Sequence, residues 1–584
     1  MASVVTHAHS MISSTGSVNS ELSDAADHVD VSDPHLNGCC NNCWNPRREA
    51  GGTGQSCQRK CCIRAPIGKS LGLVLALTVI GSFVFFEALS GLSKTIFAAP
   101  PAGSKNPSKW THLVAPVAID SVGKLFYPIG GFVADVWLGR KRVIHISMWL
   151  LWASLILLTI TVLIELGTNG LPASYYYALI TVVFVLFSIG IGGFETNMIP
   201  LGADQLQGAS AEELSSYFYW YYWCKQVGAL IGILTFFFFE ELRYAPFKVI
   251  SDNGTLVNGT LVNRTYGTSV MEPFVATFFL SIGIVLYVCF NNWLNEDASP
   301  NNPLKLIINV TYYALTVTRG PPRFRRAFRY GEERKSRFEL AKKDFDGIYE
   351  NEEVENVKTF YQICMVLVSY IFFSSTYGIV FVALDYQAFP PIKPLYTTPA
   401  LIPVSTLSLR TLDHFLMNRS LRVKMGFGYF FLLLSSLILF CVARFHSIPT
   451  PLVSLLLLLV PAVFLFLSEM FGMVTLLEFI CAQSPQNTKG LLIGLFWFVF
   501  GFFNGVGSLA FSCVEYIYTS IDDLYYNFGL LMCVGLAGSS GVLGMVMYVI
   551  VATIYKNRER PQPDEDDLNI RAFANSYYSR HSYR

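Results

Sequence analysis

Stretches of about twenty consecutive apolar residues, each long enough to cross a bilayer as a helix, recur along this chain and constrain its fold more than anything else in it. We place such spans near 68–99, 112–135, 143–166, 174–201, 216–240 and 270–292, and again near 359–384, 395–417, 424–446, 450–477, 489–513 and 527–555. In lipid a backbone must satisfy its own polar groups, so runs of this length imply helices rather than an open sheet. The expected class is therefore an all-α membrane protein with twelve transmembrane helices in two six-helix bundles. Composition agrees, with 52% hydrophobic and only 14% charged residues, against about a quarter charged in soluble domains. Mean hydropathy is +0.43.

The polar segments divide the chain into a Cys-rich cytosolic tail over 1–66, a first bundle over 67–292, a cytosolic linker over 293–358, a second bundle over 359–556 and a cytosolic tail over 557–584. The first tail is polar and has no apolar h-region, so no cleavable signal peptide is expected. Six of the thirteen cysteines crowd it: Cys39, Cys40, Cys43, Cys57, Cys61 and Cys62. Their spacing is not a familiar zinc-site spacing, and juxtamembrane cysteines among basic residues suit reversible palmitoylation better. Basic residues gather in that tail, at 140–142, from Arg319 to Lys343, from Arg419 to Lys424, at Lys489 and from Lys556 to Arg560. Twelve spans and a cytosolic start put all of them inside, as the positive-inside rule requires. The sequons at Asn253, Asn258 and Asn263 then fall outside or in a lumen, between the fifth and sixth spans, and are expected to carry glycans. Plasma membrane and endolysosomal membrane are both compatible, with both termini cytosolic. Arg319-Gly-Pro-Pro-Arg-Phe-Arg-Arg and the mixed charges after it read as a solvated linker, with an amphipathic surface helix as the other reading. A net charge of +1 argues against a nucleic-acid partner. No nucleotide loop, metal cluster or nucleophile constellation is visible, so neither an enzyme nor a cofactor is expected.

Four motifs carry the chemistry. Gly130-Gly131-Phe132-Val133-Ala134-Asp135 runs through Leu138-Gly139-Arg140 into Lys141-Arg142, an acid beside cations in a short turn between two spans. Ile191-Gly192-Gly193-Phe194-Glu195-Thr196-Asn197 leads through Pro200 to Gly202-Ala203-Asp204-Gln205. Tyr217-Phe218-Tyr219-Trp220-Tyr221-Tyr222-Trp223 opens the fifth span ahead of Lys225 and Gln226. Ser468-Glu469 is followed by Thr475, Glu478-Phe479 and Gln483-Ser484-Pro485. In order and spacing these segments resemble the proton-dependent oligopeptide transporter family of the major facilitator superfamily, over about 68–556.

That resemblance implies symport of small peptides or related solutes with protons, through a midplane cavity that opens alternately to each side. By position Glu469 matches the acid that receives a peptide amino group, Asp135 and Arg140 match a conformational lock, and Glu478 matches a second acid near the cytosolic end. The departures are as informative. The family's first span carries E-x-x-E-R. Here Gly81-Ser82-Phe83-Val84-Phe85-Phe86-Glu87 through Lys94 keeps only Glu87 and Lys94. The family's fourth-span lysine is replaced by Glu195, the usual asparagine of the fifth span by Gln226, and Lys225 stands at an apolar position.

An intramembrane charge costs about 2.5–3.5 kcal/mol on insertion scales, so each needs a reason. Asp120 and Lys124 are four apart and neutralise one another. Glu195, Lys225 and Glu469 lie inside their spans without a local partner and are the leading site residues. Lys225 is expected to neutralise either Glu195 or Glu469, leaving the other acid for a cationic group of the solute or a proton. The candidate partners are therefore a di- or tripeptide, an amino acid or a small anion, with protons and the lipid bilayer. A non-transporting sensor or scaffold, acting through the tails, is the other class of function.

Overall fold

The computed structural model describes residues 68–98, 119–167, 173–206, 211–244, 248–250, 256–258, 261–294, 303–316, 337–345, 347–387, 420–444, 451–485, 488–519 and 526–555, all within the unit Cys61–Arg584. Its helices are α1 Lys69–Ala98, α2 over 119–138, α3 Arg140–Gly167, α4 Ala173–Asp204, α5 Ala211–Tyr244 and α6 Leu261–Phe290. They continue with α7 Pro303–Thr316, α8 Asn351–Gln387, α9 Leu421–Arg444, α10 over 451–483, α11 Lys489–Thr519 and α12 Tyr526–Ile554. Among the described residues nine helices are long and apolar enough to cross a membrane. Eleven of the twelve expected spans overlap α1–α6 and α8–α12; the eighth, near 395–417, lies outside the described residues, as do both tails. This is an integral, multi-pass membrane protein.

Two of the spans are not plain α-helices. In α2 a 3₁₀ turn at Lys124–Phe126 precedes Pro128, and a π-turn at Ala134–Leu138 contains Asp135. In α10 a π-turn at Met470–Val474 follows directly on Glu469. Such bulges rotate the helix face locally and are common at functional sites. Both adjoin candidate residues here.

In the first half α1 packs on α5 and α6, α3 on α4 and α6, and α2 on α4. In the second half α8 packs on α11 and α12, and α9 on α10 and α12. The halves meet where α2 and α4 lie against α11 and where α5 lies against α10. Between the helices Tyr127, Tyr217, Tyr370, Tyr429, Phe373 and Phe496 are fully buried. Phe278, Val285, Leu437 and Val546 stand exposed on the outer faces, as a surface that faces hydrocarbon requires.

Within the expected linker over 293–358 a 14-residue helix, α7, packs Ile307, Val310 and Ala314 inward against α8. Most of the basic stretch after it lies outside the described residues. Further on, Glu339, Lys342, Glu355 and Lys358 form one ion cluster that ties the linker to the first turns of α8. α8 begins at Asn351, earlier than the apolar run, because Glu352 and Glu353 sit in its first turn, where carboxylates complement the helix dipole. Two short strands, β1 Lys248–Ile250 and β2 Leu256–Asn258, pair antiparallel between α5 and α6. This small hairpin is an addition to the all-helical expectation.

Candidate functional site

The site starts from the two glycines before Glu195. A side chain on Gly193 would strike Ser147 of α3, and one on Gly192 would meet the backbone of Phe126 at 3.1 Å. α4 is thin enough here for α2 to pass close by, and this delivers Lys124 and Tyr127 to Glu195. The Tyr127 hydroxyl donates to Glu195 Oε2 at 2.8 Å, and Lys124 Nζ donates to the same hydroxyl at 2.7 Å. Lys124 Nζ also lies 3.7 Å from Glu195 Oε2 and 3.3 Å from Asp120 Oδ1. From α5, Lys225 Nζ donates to Glu195 Oε1 at 3.2 Å. Both oxygens of Glu195 are thus engaged, in a site where its side chain is 7% exposed.

The second half supplies the remaining wall. Glu469 Oε2 accepts a hydrogen bond from the Tyr377 hydroxyl of α8 at 2.9 Å. Tyr377 lies stacked on Phe381 with ring centroids 6.1 Å apart and 5.6 Å from the Phe500 ring of α11. Trp497 of α11 crosses to the first half, where Lys225 Nζ sits 3.8 Å above its ring and Lys124 Nζ 5.6 Å from it. The buried Trp497 Nε1 has no hydrogen-bond partner among the described residues. Taken as ionised, Asp120, Lys124, Glu195 and Lys225 cancel two against two. Glu469 adds one negative charge that no described lysine or arginine bridges.

A second cluster closes one end of the interface between the halves. Gly139, at φ 79°, makes the one-residue turn between α2 and α3; a side chain would strain this left-handed backbone. Arg140 follows, buried at 2% exposure, 3.6 Å from Asp135 Oδ1 and hydrogen-bonded to Asp204 at the end of α4. Lys489, the first residue of α11, reaches Asp204 Oδ1 at 3.3 Å. The backbone N–H of Leu491 donates to Asp135 Oδ2 at 2.8 Å. Asp135 thereby caps the opposite bundle's helix at its positive end, where a carboxylate is favoured. Behind this cluster the backbones of α2 and α11 touch. A side chain on Gly131 would collide with the Gly490 carbonyl, and one on Gly494 would stand 2.6 Å from the Tyr127 carbonyl oxygen.

Of the residues singled out from the sequence, Glu195 and Lys225 meet directly, and Glu469 faces them from the other half. Gln226 is buried beside Lys225 on α5, and Glu478 is buried two turns beyond Glu469. Glu87 is fully buried on α1, while the side chain of Lys94 lies outside the described residues. The Asp120–Lys124 pair is less self-contained than its spacing suggests, because Lys124 also serves Glu195. Asn258 ends β2 and Asn263 falls in the first turn of α6; Asn253 lies outside the described residues. Sequence reading missed Tyr127, Tyr377, Trp497 and Lys489. Asp204 stands in a quoted motif without a role, and a single aromatic among 15% aromatic residues carries no signal of its own.

Residues 141–388 match the model of the POT family, PTR2. Human solute carrier family 15 member 5 is 31% identical over 111 residues, which cover 18% of this chain and 19% of the relative. Rat (Rattus norvegicus) solute carrier family 15 member 3 is 30% identical over 138 residues, 20% of this chain and 24% of the relative. The chain thus spans about a fifth to a quarter of the length of these curated relatives. The crystal structure of the POT family transporter PepTSo superposes with a TM-score of 0.52 at 15% identity, covering 85% of this chain and 100% of that one. The chain therefore shares the fold of that transporter.

Proposed function

We propose that this chain is a secondary transporter that moves small peptides or related small solutes by alternating access, through the cavity between Glu195, Lys225 and Glu469. The observation that carries this reading is the pairing of a buried, charge-bearing site built from both halves with a seal at one end of that site, where Asp135, Arg140, Asp204 and Lys489 join the halves. Solute held between the halves reaches one side while this seal is shut and the other when it parts. The basic residues around the seal support a cytosolic placement for it. The two bundles, 67–292 and 359–556, are then the bodies that rock, with 293–358 between them. Glu469 is the group we assign to receive a proton or a cationic group, so a proton gradient can assist uptake. With Phe85 and Phe86 where the family carries a charged pair, that assistance is expected to be weaker than in a fully proton-driven relative.

Asp135→Asn tests the reading directly. It keeps an acceptor for the Leu491 N–H but removes the charge facing Arg140 and the α11 terminus, worth up to about 2 kcal/mol in partly buried geometry. Cysteine-accessibility labelling from each side should then show a population shifted toward the state open at the basic end. Unchanged labelling would remove the lock from the mechanism.

A further inference from the structure

The charges of the central site do not add up to a receptor for an anionic solute. Glu195 engages Lys225 at 3.2 Å and Lys124 at 3.7 Å, Lys124 also lies 3.3 Å from Asp120, and Tyr127 donates to Glu195 at 2.8 Å. The upper face of Trp497 is taken by Lys225. On the opposite wall Glu469 accepts a hydrogen bond from Tyr377 and lies beside the Tyr222 hydroxyl of α5, and the Tyr377 ring packs against Phe381 and Phe500.

Resting on the transporter reading above, we infer that Glu195 stands as a built-in carboxylate in the place where a solute carboxylate would otherwise bind. The solute is therefore a monocation: an amine with an apolar or aromatic body and no required acidic group. Its ammonium pairs with Glu469 and its body lies against Tyr377 and Phe500. A carboxylate on the solute gains nothing, because the cations it would seek are already paired, and it meets Glu195 and Glu469 as like charges. A buried carboxylate that holds a cation by a charge-assisted hydrogen bond contributes more than a neutral contact does. The aromatic rings also favour a cation over an anion.

The test uses three matched probes on the purified full chain: 2-phenylethylamine, phenylalanine and 3-phenylpropionate, which are cation, zwitterion and anion around one ring. Ligand-induced thermal stabilisation and direct binding are read alongside cysteine accessibility of the Lys489 end. The amine should bind at least about tenfold more tightly than the anion, the worth of one hydrogen bond to a charged group, with the zwitterion between them. Glu469→Gln should abolish the preference. Glu195→Gln leaves Lys225 without its acid while Lys124 keeps Asp120, so 3-phenylpropionate should now stabilise this variant more than the amine does. Equal or tighter binding of the anion by the unaltered chain overturns the inference whether or not the variants fold. Binding of none of the probes, while accessibility still alternates, also overturns it but leaves alternating access standing. Amine binding without any change of accessibility does the reverse.

Discussion

Removing the Lys225 amine tests the charge arrangement most sharply. Lys225→Met keeps much of the side-chain length and takes away one ammonium. Losing one partner of a buried ion pair costs about 3–5 kcal/mol when the other charge is left alone. Glu195 is not left alone, because Lys124 remains at 3.7 Å and Tyr127 still donates at 2.8 Å. The Lys225 side chain is also 19% exposed. The loss should therefore be nearer that of one hydrogen bond to a charged group, about 1.5–3 kcal/mol, with about 0.5–2 kcal/mol from the cation over the Trp497 ring. Lys225→Met combined with Glu195→Gln should recover part of this, since the acid that Lys225 balanced is then neutral as well. A coupling energy of about 0.5–3 kcal/mol is the range for groups in contact. Unfolding in detergent micelles of the unaltered chain, both single variants and the double variant gives that coupling. The same cycle with Glu469→Gln should show the weaker coupling, because Lys225 bridges Glu195 at 3.2 Å and acts on Glu469 only across a longer distance. Additivity of Lys225 with Glu195, or stronger coupling to Glu469, would refute the reasoning.

Three further outcomes are expected. Gly494→Ala places a methyl group 2.6 Å from the Tyr127 carbonyl oxygen, and overpacking of this kind costs about 1–3 kcal/mol; the sealed state should lose population, read as faster cysteine labelling beside Lys489. Asn253, Asn258 and Asn263 should carry glycans, so an endoglycosidase shift should vanish when all three become Gln, and a shift that persists would overturn the placement of the spans. In the linker, burial works to raise the Glu339 carboxyl, but hydrogen bonds from Lys342 and Lys358 outweigh it and hold its pKa below the ordinary value. A carboxyl depressed in the folded state contributes stability above its unfolded pKa, about 4.3, and loses it as pH falls through the lower folded value. Hydrogen exchange over 339–358 should thus stay slow from pH 7 to pH 5 and quicken only below about pH 4; loss of protection already near pH 6 would contradict the cluster's role.

The membrane class, eleven of the helices and the Asp135–Arg140 turn were legible in the chain, because each is a local property. An apolar run of sufficient length has few other folds open to it in lipid. Gly139 announces a turn, and Asp135 and Arg140 lie only five residues apart. Glu195, Lys225 and Glu469 were legible as charges in need of partners, since burying a charge is costly wherever it sits. The partners themselves were decided by tertiary structure. Spacing joined Lys124 to Asp120 on one helix, but only the close passage of α2 across Gly192 and Gly193 brings Lys124 and Tyr127 to Glu195, 71 and 68 positions away. Whether Lys225 turns to Glu195 or Glu469 depended on the angle at which α5 meets α4, which hydropathy does not encode. Trp497, Tyr377 and Lys489 gained their places only because α8 and α11 pack across from the first half. Local sequence sets which groups must be neutralised, and helix packing sets which of the available groups lies within ångströms to do it.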